Sequence, residues 1–133
     1  MITQKRTWRT LLYFWGIGLS TQAFFTPILK VGYLTPNFWF FWISHTMIIG
    51  SAAYDLAVKC YRPAFRDLLV GLAWSFGFAG LVTAVNLTWH VNYGYIGNVK
   101  PDNPTIIDSL GPWPLRAFKV AGMVIVLFIV LWG

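Results

Sequence analysis

Residues 68–89 read LLVGLAWSFGFAGLVTAVNLTW, twenty-two positions without a lysine, arginine, aspartate or glutamate. A helix rises 1.5 Å per residue, so this stretch reaches about 33 Å and covers the roughly 30 Å hydrocarbon core of a bilayer. Small residues recur four apart, Gly71 with Ser75, Ser75 with Ala79 and Gly80 with Ala84, a spacing that lets helix backbones approach closely. Working outward, three further apolar stretches of spanning length lie over 8–27, 36–58 and 115–132. The expected fold class is an all-α membrane protein: one transmembrane domain over 1–133, a bundle of four transmembrane helices with a short interfacial helix in the third loop.

Composition agrees. Hydrophobic residues make up 57% of the 133, aromatics 19% and charged residues 11%, which excludes an ordinary soluble globule. The net charge of +6 is borne beside apolar segments rather than along one polar face, so anionic lipid headgroups are its expected partners and nucleic acid is not. One cysteine, Cys60, excludes an intrachain disulfide and a Cys-rich zinc cluster.

Orientation follows from the cations. Lys5, Arg6, Arg9, Lys59, Arg62 and Arg66 fall on one side, against Lys30, Lys100, Arg116 and Lys119 on the other, which puts both termini in the cytoplasm. Arg116 and Lys119 are expected to snorkel toward the near surface. The first segment is read as a retained helix, since the residues around Ser20 to Ala23 make a poor signal cleavage site. Pro27 is expected to end it. In the loop 91–114, Asn103 followed by Pro104 suits a helix start, giving the interfacial helix over 105–110.

Polar residues within spans are expensive and each is a candidate for function. His45, between Ser44 and Thr46, is the candidate catalytic base; the equal alternative is a histidine hydrogen-bonded to hold the bundle together. Gln22 follows Ser20 and Thr21, with Gly16 and Gly18 nearby to let a partner helix close. Thr83, Asn86 and His90 share one helix face, so Gln22, His45, Asn86 and His90 form the candidate binding set. Two histidines and eight tryptophans would suit a haem or pigment, but no ligand spacing supports one, and no metal or cofactor is expected beyond bound phospholipid. Asp55 is expected to pair with Lys59 four residues on. Cys60 reads as an incidental thiol, and the sequon at Asn86-Leu87-Thr88 as too deep in a span for glycosylation.

Two stretches carry a family resemblance: residues 13–23, YFWGIGLSTQA, running on to Thr26-Pro27; and Asn92-Tyr93-Gly94-Tyr95 with Lys100-Pro101 and the turn Asp108-Ser109-Leu110-Gly111-Pro112-Trp113-Pro114. With Ser44-His45 they resemble the bacterial YwaF-like family of integral membrane proteins, which implies the bacterial cell membrane. That family is distantly similar to eukaryotic acyltransferases that remodel phospholipids with a Cys-His pair, which would make His45 the matching histidine. Its members carry further helices before the Trp-Gly segment, including the Leu-Cys motif that supplies the cysteine, and Cys60 does not match that position. The resulting expectation is a non-catalytic membrane subunit, packed against other membrane proteins, a second copy of itself or ordered lipid. A phospholipid-modifying enzyme or its remnant is the alternative, and a pigment-associated subunit the third reading.

Overall fold

The computed structural model describes residues 5–25, 27, 29, 31–98 and 107–133. Among these the chain is built from helices and turns, with no strand. Its contacts divide it into two compact units, residues 1–71 with Trp132, and residues 72–131 with Gly133.

The first unit opens on α1, Arg6–Leu11. The helix then widens, and Leu12–Leu19 winds as a π-helix in which the Ser20 N–H reaches five residues back to the Trp15 carbonyl at 2.8 Å. A turn at Ser20-Thr21 leads into α2, Gln22–Phe25. The Thr21 hydroxyl donates to the Ile17 carbonyl, a side-chain bond that competes with the helix ladder. The single helix expected over 8–27 is therefore three pieces. It stops short of Pro27, as a proline demands, but the break at Ser20-Thr21 comes first.

The next helix, α3, spans Pro36–Ala57, with Pro36 at its first turn where the missing N–H costs nothing. It lies close against the π-helix. A Cβ added to Gly16 would stand 3.3 Å from both Ala52 Cβ and Ile48 Cγ2, so only glycine leaves that approach unstrained. Trp42 ties α3 to α2: its ring sits 5.4 Å from Phe24 and 5.3 Å from Phe41, both edge-on.

Helix α4, Phe65–Trp89, starts in the first unit, and the unit boundary falls along it. Helix α5 is Leu115–Trp132. These two are long and apolar enough to cross a membrane, and they correspond to the stretches expected over 68–89 and 115–132. At 22 residues α3 has the length, but Asn37, Ser44, His45, Thr46, Ser51 and Asp55 dilute its apolar character. Of the interfacial helix expected over 105–110, the described part is one 3₁₀ turn, Asp108–Leu110; Asn103, Pro104, Lys100 and Pro101 lie outside the described residues, as does Lys30.

Two expected interactions are replaced. Asp55 pairs with Arg9 rather than Lys59, because α3 ends at Ala57 and Lys59 lies beyond the helical face it would need. Arg116 does not snorkel; it is 6% exposed and bound to Asp108, while the Lys119 ammonium donates to the Leu110 carbonyl at 2.7 Å. Both cations serve the loop before α5, Arg116 through the Asp108 carboxylate and Lys119 through the Leu110 carbonyl.

Candidate functional site

Of the expected site residues, Gln22 and His45 fall in the first unit and Asn86 and His90 in the second. His45 is half-buried on α3, its ring 4.3 Å from Phe41, and Nδ1 lies 2.7 Å from the Phe41 carbonyl oxygen. A carbonyl only accepts, so Nδ1 carries a proton, and it is Nε2 that would hold the lone pair whenever the ring is neutral. Cys60 is no partner for that nitrogen: Ala57, where α3 ends, is twelve helical steps on from His45, an axial distance of about 18 Å. Gln22 is exposed on α2.

Asn86 is wholly buried, and its amide forms a reciprocal pair with the backbone of Tyr93. Its Oδ1 accepts the Tyr93 N–H at 2.8 Å and its Nδ2 donates to the Tyr93 carbonyl at 2.9 Å. The nitrogen a glycan would need is thus already engaged. His90 is exposed with a φ of +51° and ends α4. The shared face foreseen for Thr83, Asn86 and His90 therefore ends at Asn86, and Asn86 serves the loop.

Beyond Tyr93 that loop is held by a second polar knot. Asn92 Oδ1 accepts the Gly97 N–H at 2.8 Å, and Arg116 donates to the Gly97 carbonyl at 2.7 Å while pairing with Asp108. A Cβ on Gly97 would fall 2.6 Å from the Val91 carbonyl oxygen, so this turn admits only glycine. Burial pushes the nearby Tyr95 hydroxyl above its ordinary range, reinforced by the Asp108 charge.

The most densely bonded group was not foreseen. Asp67, 3% exposed in the first turn of α4, accepts from Arg6 Nε at 2.9 Å, from a terminal Arg6 nitrogen at 2.5 Å, from the Ala64 N–H at 2.8 Å and from Thr10 Oγ1 at 3.1 Å. The Thr10 hydroxyl has one proton, shared between the Asp67 carboxylate and the Arg6 carbonyl, so the Tyr61 hydroxyl 3.0 Å away donates to it. Beside this, Arg9 Nε sits 2.9 and 3.1 Å from the two Asp55 oxygens. The Arg9 and Arg6 guanidiniums lie 5.0 and 5.9 Å from the Tyr61 ring centroid. Hydrogen bonding to Asp67 raises Arg6 further above its ordinary range, and burial raises the Tyr61 hydroxyl against a smaller opposing pull from Thr10. A buried carboxylate at the edge of an apolar segment requires a cation, and that was the available signal; its partner stands 61 residues away and has no spacing to read.

Among the described residues no three His, Cys, Asp or Glu side chains gather as a metal site. Helices whose apolar side chains face outward, tied at their ends by arginine–aspartate pairs, define an α-helical membrane protein. The chain belongs to the TMEM164 family, whose family model matches residues 1–132. No curated protein and no solved structure matches it.

Proposed function

We propose that this chain is a multi-pass membrane subunit that packs against other membrane chains, a second copy or ordered phospholipid, and has no chemistry of its own. The observation that carries the reading is the bareness of α4 and α5: only 11% of the residues in the apolar window of each are buried. A helix apolar all round needs cover on every side, and lipid or a partner must supply it. In this reading α3 and the broken first segment also cross the bilayer, both termini lie in the cytoplasm, and the YwaF-like resemblance points to a bacterial cell membrane.

Purification from the native membrane in mild detergent, with mass spectrometry of what co-purifies, tests it. Stoichiometric membrane-protein partners or a defined oligomer are expected. A stable, monodisperse monomer needing neither partner nor lipid would overturn it.

One observation favours a second reading, a phospholipid-modifying enzyme. The Phe41 bond fixes the His45 tautomer with Nε2 as an available base. Acyl exchange on phospholipid by the purified chain, abolished in His45→Ala, would support this; equal turnover by that variant would exclude His45.

A further inference from the structure

The first unit carries an unbalanced charge at one end. Among its described residues, Lys5, Arg6, Arg9, Lys59, Arg62 and Arg66 face two carboxylates, Asp55 and Asp67, an excess of four positive charges. They share one end because the bonds put them there: Arg6 reaches the Arg62 carbonyl at 3.4 Å and Arg9 the Lys59 carbonyl at 3.2 Å, while Lys5 and Arg66 adjoin Arg6 and Asp67. Both carboxylates are buried and spent on Arg6 and Arg9. That leaves Lys5, Lys59, Arg62 and Arg66 exposed, with no acidic partner among the described residues.

Aromatic side chains stand at the same end. Trp8, one turn from Lys5, is 61% exposed, and Phe65, next to Arg66, is 57% exposed and edge-on to Trp132 at 5.6 Å. Exposed tryptophan and phenylalanine next to unpaired cations is the pattern of a headgroup-level belt. Soluble acidic partners would be met by the charges alone and would leave these rings in water.

We propose that this cationic end is a docking surface for anionic phospholipid headgroups of the leaflet it faces, with Lys59, Arg62 and Arg66 contacting the phosphates and Trp8 and Phe65 seated below them. The inference rests on the membrane-subunit reading and names one of its partners. A cation close to an anionic leaflet strengthens attachment about fivefold, so removing three should weaken it by about a hundredfold where all three engage, and by tenfold or more where one lipid meets two.

Native mass spectrometry of the detergent-solubilised full chain tests this by titrating phosphatidylglycerol against phosphatidylcholine of the same acyl chains. Phosphatidylglycerol should bind at least about tenfold more tightly, and the variant Lys59→Gln/Arg62→Gln/Arg66→Gln should lose that preference while Lys119→Gln keeps it. Should the triple variant fail to fold, the wild type decides. Its preference must fade between 0.1 and 1 M ammonium acetate, where the screening length falls from about 10 to about 3 Å. Millimolar inorganic phosphate should not compete, since it lacks the acyl chains that hold the headgroup at the belt. Equal affinity for both lipids, a preference intact in the triple variant or at 1 M salt, or displacement by phosphate would each overturn the proposal. A wild type with no lipid preference but with partner chains co-purifying refutes this inference alone; a partnerless wild-type monomer that prefers phosphatidylglycerol refutes the subunit reading alone.

Discussion

Replacing Asn86 by alanine should release the loop that follows α4. The amide is fully buried and exchanges two hydrogen bonds with the Tyr93 backbone, at 2.8 and 2.9 Å. Two neutral bonds at about 0.5–1.5 kcal/mol each give about 1–3 kcal/mol. Tyr93 is 63% exposed, so its freed backbone groups can reach water, and the larger penalty for stranded buried groups does not apply in full. The lost side-chain volume adds about 1 kcal/mol. The expected total is about 2–4 kcal/mol. With an unfolding entropy of about 2.1 cal/mol/K per residue over 133 residues, this lowers the Tm by about 7–14 °C, read from tryptophan fluorescence in detergent. Asn86→Leu restores the volume without the bonds and should recover no more than the cavity contribution. Asn86→Asp keeps the acceptor for the Tyr93 N–H but sets a second oxygen against the Tyr93 carbonyl and buries a charge, so it should be at least as damaging as alanine. Amide exchange at Tyr93 should speed up tenfold or more in the alanine and leucine variants, which remove the acceptor of its N–H. A Tm within 2 °C of wild type in Asn86→Ala, with unchanged exchange at Tyr93, would refute the assignment of Asn86 as the loop's anchor.

Gly16→Leu should force the π-helix away from α3, at about 1–3 kcal/mol for overpacking, whereas Gly16→Ala, with contacts at 3.3 Å, should shift the Tm by only a few degrees; equal effects would show that the approach is loose. Arg6→Gln should fray residues 6–11 more than Asp67→Asn, because Arg6 is 61% exposed at its side chain and Asp67 4%, and the buried partner is the one that suffers when stranded; proteolysis near α1 reports the order, and the reverse would refute it. Asp108→Ala should cost about 3–5 kcal/mol by leaving the Arg116 charge buried and unpaired, with a matching fall in Tm, and a wild-type Tm would show the pair to be solvated. Arg9→Lys should lose about 1–2 kcal/mol, since a lysine keeps the charge but cannot hold Asp55 through one nitrogen and the Lys59 carbonyl through another; a Tm equal to wild type would mean that charge alone suffices.

What the sequence discloses here divides by range. The apolar runs that became α4 and α5 were readable within a few residues, because spanning length and the absence of charge are local properties. The weakness of the first segment was also visible at Ser20, Thr21 and Gln22, although the π-helix before it and its close approach to Ala52 and Ile48 at Gly16 follow no local pattern. The site fared worse for the same reason. His45 and Asn86 were singled out as polar groups in apolar surroundings, yet the partner of Asn86 is a backbone seven residues on and the histidine's is its own helix. Asp55 was assigned to Lys59 on i,i+4 spacing, which presumes a helix that has already ended.

The three ion pairs among the described residues share a feature that the chain's composition makes intelligible. Each joins an arginine to an aspartate, Arg6 to Asp67, Arg9 to Asp55 and Arg116 to Asp108, although three of the ten cations are lysines on described residues outside these pairs with only four carboxylates available in the whole sequence. A guanidinium can grip a carboxylate and still reach a carbonyl, and in each case it does: Arg62, Lys59 and Gly97 supply that carbonyl. An ammonium offers no planar fork for both tasks. Each arginine thus fastens a helix to the backbone of a turn as well as to a side chain. Where outward faces are apolar and lipid offers no hydrophobic reward for helix association, such multi-point fastening at the helix ends is one of the few forces left to set which segments meet. The same economy explains the surplus at the first unit's end: with Asp55 and Asp67 consumed inside the clamps, the cations beside them have no counter-charge among the described residues, which is the ground for proposing a membrane surface as their partner.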